Sequence, residues 1–174
     1  MSFLLEVGQI LAGLGREVEV DADARMLAVE TELEGHDRLL VLVRPMTRAV
    51  TIYAVHPRPV PAERLAAMAE LVARANSTEF TVAIELDHEH GSVTTRAGLE
   101  LFGTELPDED LEQLIAVLVV EVESVARCYA PAIDAVTADE LTPKTGATQG
   151  LAARRDERFS EATTALEVEP LTPK

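Results

Sequence analysis

The apolar positions of this chain switch between two spacings, and each switch marks an element. Phe3, Val7, Ile10, Leu11 and Leu14 recur at helical spacing behind Ser2, which can cap the first turn, and Gly15 supplies a natural stop. Val18 and Val20 then alternate with Glu17, Glu19 and Asp21, the period of a half-buried strand. Further strands are predicted over Met26 to Leu33, Leu39 to Val43 and Ala49 to Val55, separated by turn-like Asp21–Ala24, Glu34–Asp37 and Pro45–Thr47. Three hairpin-like links in succession predict an antiparallel meander.

Pro57, Pro59 and Pro61 close this stretch, with Pro61 at a first helical position where its missing N–H costs nothing. Leu65, Met68, Leu71, Val72 and Ala75 mark the buried side of a second helix, and Asn76 can end it. A second hairpin follows: Phe80, Val82, Ile84 and Leu86 alternate with polar neighbours, Gly91 marks the turn, and Val93 to Leu101 returns. Pro107 and Asp108 open a third helix running to about Cys128, with Pro131 interrupting or kinking it before Ala132 to Val136. The order α-β-β-β-β-α-β-β-α, with strands and helices segregated, predicts an α+β fold built on an antiparallel sheet.

Several short stretches in this order resemble the YbjN-like family of bacterial proteins. They are Val50-Thr51-Ile52-Tyr53-Ala54, Val60-Pro61-Ala62-Glu63-Arg64, the helix end Arg74-Ala75-Asn76, the strand pair from Phe80 to Val93 with its acidic Asp87–Gly91 turn, and Tyr129-Ala130-Pro131-Ala132-Ile133. The resemblance spans roughly residues 3–136. It departs from the family pattern at Ser77, where an aromatic usually follows the Asn, and in lacking a Gly before the next strand. It implies a fold related to the type III secretion chaperones, and a sensory-transduction or stress-related regulator without defined catalysis. Those chaperones bind extended segments of client proteins and commonly dimerise.

The third helix is the most informative element for function. At about 100° per residue, Leu111, Leu114, Ile115, Leu118, Val122 and Val125 form one core stripe. Ala116, Val117 and Val120 fall on the other side, among Glu109, Gln113, Glu121 and Ser124. Ala116, Val117, Val119 and Val120 are therefore the candidate partner-binding surface. Three readings stand: these are the scattered exposed apolar residues common on any surface, the C-terminal tail folds over this side, or a client or second copy does.

After Val136 the composition turns to Thr, Ala, Pro and Gly, and Leu-Thr-Pro-Lys occurs at both 141–144 and 171–174. Residues 1–136 are read as the α+β domain. Residues 137–174 are read as a flexible or loosely docked tail with a possible short helix over 152–166. Its charged stretch, Arg154-Arg155-Asp156-Glu157-Arg158, is either a solvated turn or a patch that docks on the acidic body.

Charge narrows the partner. The chain carries 15 basic and 31 acidic residues for a net charge of −16, nearly all of it before residue 137. Such a surface repels phosphate, which argues against nucleic acid and anionic membrane. The apolar N-terminus lacks a basic region and carries Glu6, so it makes a poor signal peptide. With a lone Cys128, a cytoplasmic location is expected.

Candidate chemistry is sparse. His88 and His90 flank Glu89 at a hairpin tip, but neighbouring residues point apart and two ligands do not close a metal site. His36 sits in another turn, and His56 precedes Pro57 with no partner visible in sequence. Cys128 lies near a helix end, where the dipole disfavours a thiolate. No catalytic, cofactor or metal residues are assigned. The expected function is a non-enzymatic protein- or peptide-binding module, regulatory or chaperone-like. The alternatives are a homodimeric adaptor using the third helix, or an uncharacterised enzyme.

Overall fold

The computed structural model describes residues 2–167 of the chain. Helix α1 (Phe3–Gly13) is followed by strands β1 (Val18–Asp21), β2 (Met26–Val29), β3 (Leu39–Arg44) and β4 (Ala49–Val55). A short 3₁₀ turn at Ala62–Arg64 leads into α2 (Leu65–Asn76), then β5 (Val82–Leu86), β6 (Val93–Glu100), α3 (Asp108–Thr137) and α4 (Pro143–Glu167). All strand pairs are antiparallel, in the spatial order β1-β2-β3-β4-β6-β5. This is the α+β architecture the periodicity predicts. The second hairpin joins the meander through β6 and leaves β5 on the edge.

Strand alternation sets the layers. Leu27, Val29, Leu39, Val41, Val43, Val50, Ile52, Ala54, Val82, Ile84, Val93 and Ala97 are buried on one face, under α1, α2 and α3. Tyr53 and Arg96 stand as cross-strand partners on the other face. The β5–β6 turn depends on Gly91. Its φ is 69°, and a Cβ there would lie 2.2 Å from the Val60 carbonyl oxygen.

Three boundaries differ from the sequence expectation. Strand β2 stops at Val29 rather than Leu33. Phe80 precedes its strand and is exposed, because the Thr78 and Glu79 N–H groups turn back to the Ala75 carbonyl at the end of α2. Helix α3 is not interrupted at Pro131 but continues through it, spanning 30 residues. Burial of Tyr129, Ala132, Ile133 and Val136 on both sides of the proline holds that helix against the core, while Pro131 itself faces outward.

The tail expectation also changes. The helix is not confined to 152–166 but begins at Pro143, where Thr142 Oγ1 accepts the Thr145 N–H at 3.2 Å. It packs on α2 and α3 as an outer layer. The second Leu-Thr-Pro-Lys lies outside the described residues.

Candidate functional site

The core stripe of α3 is Leu111, Ile115, Val119, Val122, Ala126, Tyr129, Ile133 and Val136, all buried at steps of three and four. The helix is therefore rotated from the expected stripe toward Val119. Val119 is 2% exposed and belongs to the core, which removes it from the candidate surface. Leu114, expected inside, is 39% exposed. The reason is visible in the sequence itself: residues 114–120 are apolar all round, so spacing alone cannot set the phase. The phase is set by Glu123, which turns inward to Arg16 and Thr31.

Of the candidate surface, Val117 and Val120 are 53% and 52% exposed, and Ala116 is half-buried beside them. With Leu114 they form a ridge at three-residue steps along the N-terminal half of α3. Glu109, Asp110, Gln113 and Glu112 surround it and are exposed, with half-buried Glu121 at its far end.

The C-terminal half of the same helix is covered by α4. Gly146 sits over Leu71 and Val136, where a Cβ would come within 2.8 Å of Leu71 Cδ1. Gly150 sits over Tyr129, where a Cβ would lie 2.3 Å from ring carbon Cδ1. One further step of four brings Arg154, which is 2% exposed. Its guanidinium donates to Glu121 at 2.7 Å and to the Ser124 hydroxyl, and lies 3.8 Å from Glu79. Glu157 accepts from Ser124, Arg127 and Cys128. Burial opposes the Glu157 carboxylate, but these hydrogen bonds and the Arg127 and Arg154 charges outweigh it and lower its pKa. Thus Arg154 of the charged stretch is buried in a docked helix, while Arg155 is exposed.

A cleft of about 670 Å³ lies at the other side of α3, between the β4 end and the Glu34–His36 turn. His56 is nearly buried there, with Nε2 3.0 Å from Asp134 Oδ1. Burial lowers the His56 pKa, opposed by the Asp134 hydrogen bond and charge, while His36 and Arg58 lower it further. Arg58 also pairs with Asp134, and His36 stacks edge-on at 6.3 Å between ring centroids. Each cation of the cleft already faces an acid, Arg58 on Asp134 and Arg127 on Glu157. The His56–Asp134 pair spans 78 residues, and no local spacing announces it.

The remaining candidates are structural. Asp87 Oδ1 accepts the Glu89 N–H, and its Oδ2 lies 2.8 Å from His90 Nδ1, so His90 serves the hairpin turn. Among the described residues, no group of three His, Cys, Asp or Glu side chains is placed to hold a metal ion. Burial, reinforced by the Glu157 charge, pushes the Cys128 thiol up to about 12. Among the described residues, no helix is long and apolar enough to cross a membrane.

The structure is an α+β fold on a six-stranded antiparallel sheet, with an exposed apolar ridge on α3. The family model described as "YbjN: Putative bacterial sensory transduction regulator" matches residues 6–128, and the chain belongs to that family. The description names a regulator, not an enzyme. A solved structure, "Crystal structure of YbjN, a putative transcription regulator from E. coli", is similar at 14% identity and a TM-score of 0.56. The match covers 69% of this chain and 85% of that one, and supports the fold. No curated protein matches the chain.

Proposed function

We propose that this protein is a non-enzymatic regulatory module of the bacterial cytoplasm that holds a protein partner on the Leu114–Val117–Val120 ridge of α3. The observation that carries this reading is the exposure of three apolar side chains in line on the N-terminal half of α3, opposite the side that packs on the sheet. The acidic rim specifies the partner's chemistry. An apolar segment flanked by Arg or Lys would gain on encounter, whereas a second copy would set one acidic rim against another. The same charge disfavours nucleic acid and anionic membrane.

Capture from native lysate, followed by direct binding of each recovered protein, tests the reading with Val120→Glu. Val120 is half exposed, so the substitution should shift unfolding stability by less than about 0.5 kcal/mol. A partner released at least tenfold by the variant supports the reading. Equal binding by both proteins, or self-association lost in the variant with no other partner, overturns it.

A further inference from the structure

The two edges of the sheet are finished differently. At the β5 edge, Asn76 stands where a further strand would pair. Its Oδ1 accepts the Ile84 N–H and its Nδ2 donates to the Ile84 carbonyl, both at 2.8 Å. A side chain thus closes the middle of that edge. The β1 edge has no such plug. The Glu30 N–H donates to the Glu17 carbonyl at 2.9 Å, which sets the phase of the β1–β2 ladder. Alternation then turns the backbone groups of Glu19 and Asp21 toward β2, and those of Val18 and Val20 away from the sheet. Among the described residues, no strand and no side chain meets these outward groups.

The side chains of this edge sort by face. Val18 and Val20 pair with Val29 and Leu27, which are fully buried, so both valines lie on the core face. Val20 is nonetheless 48% exposed, because nothing flanks it on the open side. Glu17, Glu19 and Asp21 stand on the opposite face, and all three are exposed. Among the described residues, Arg38 alone pairs with them, through Glu17 and Glu19. An added strand would meet both faces at once. Every second residue would lie beside the acids, and the residues between would lie beside Val18 and Val20. A chain that alternates Arg or Lys with apolar residues satisfies both.

We propose that the β1 edge is a strand-addition site for an extended segment of a partner protein in which Arg or Lys alternates with an apolar residue. The outward N–H and C=O groups of Val18 and Val20 give the affinity, and Glu17, Glu19 and Asp21 give the choice. The site shares no residue with the Leu114–Val117–Val120 ridge, so either can fail alone.

The test uses the full chain and a labelled heptapeptide, Arg-Val-Arg-Val-Arg-Val-Arg. Binding should slow hydrogen exchange of the Val18 and Val20 amides at least tenfold, with no gain at Val82 and Leu86 on the plugged edge. A peptide of the same composition with its valines grouped together should bind at least tenfold more weakly, which separates strand addition from attraction between a cation and an acidic protein. Only alternate N–H groups of an added strand face β1. N-methylating every second residue should therefore weaken binding at least tenfold in one phase and leave it unchanged in the other. Val20→Pro removes an outward N–H and should abolish binding. If that variant fails to fold, the N-methylated peptides decide without altering the protein. Val120→Glu should bind the peptide as the wild-type chain does. No protection of Val18 and Val20 at millimolar peptide would overturn the proposal, as would equal binding of the grouped peptide or of both N-methylated phases. Release by Val120→Glu would place the peptide on the ridge and overturn it too.

Discussion

Arg16 grips Glu123 with both arms of its guanidinium, Nη1 to Oε1 at 2.9 Å and Nη2 to Oε2 at 2.8 Å. Thr31 adds a hydroxyl donor to the same Oε1 at 2.7 Å. The carboxylate is buried in the middle of α3, and its partners come from the α1–β1 link and the segment after β2. This contact fixes the rotation of α3 and hence which residues reach solvent. Glu123→Ala would strand Arg16 and lower stability by about 3 kcal/mol, the lower end for breaking a buried pair because Arg16 is partly exposed. The urea midpoint measures this, and an unchanged midpoint would remove Glu123 as the phase-setting residue.

His56 makes stability depend on pH near neutrality. Its folded pKa lies below the ordinary 6.5, chiefly through burial, so the unfolded chain takes up a proton first. Stability should therefore fall as pH drops from 6.5 through the lowered folded value, with no His56 contribution to the slope above that window. Asp134 works against this shift, and His36 and Arg58 reinforce it. Replacing His56→Asn should flatten the slope between neutral and mildly acid pH in urea titrations. An identical slope would show that other groups govern it.

Cys128 should be a slow thiol. With its pKa pushed up to about 12, little thiolate exists at pH 8, so a thiol-specific reagent should react at least ~10-fold more slowly than with a free cysteine. Glu157→Gln removes the adjacent negative charge and should raise the rate. Reaction at the free-cysteine rate would mean that α4 does not cover this side.

Truncation after Thr137 should be costly. It would uncover Leu71, Tyr129 and Val136 and leave Glu79 without Arg154. A loss of about 3 kcal/mol or more is expected from the orphaned carboxylate and the exposed floor. Binding of an apolar dye and a lower unfolding midpoint would report it. A shortened chain with full stability and no dye binding would show that α4 is dispensable to the core.

The readability of this sequence followed the kind of force at work. Strands β3 and β4 are apolar, β-branched runs bounded by turn residues, and helix α2 carries a clean 3.6 period, so the existence of all three and the buried face of α2 were legible. The phase of α3 was not, because Leu114 to Val120 offer apolar residues in every direction and a buried ion pair decides among them. Of helix α4, only the stretch over 152–166 was legible, and its start at Pro143 and its docking were missed for a different reason. Its docking face is glycine, glycine and arginine, which no hydrophobic template detects. The His56–Asp134 pair joins a strand end to a distant helix turn, so only the fold brings it together.

Strand β1 gives the excess of acid a further role. It is only four residues long and forms a free edge of the sheet. Glu17, Glu19, Asp21 and Asp23 crowd that edge, and among the described residues Arg38 is the one cation paired with it, through Glu17 and Glu19. A second molecule that tried to extend the sheet by adding its own β1 would bring two such acidic borders into register. The repulsion stops strand-by-strand polymerisation before hydrogen bonds can reward it. The acidic border of β1 thus works against fibre growth from this edge of the sheet.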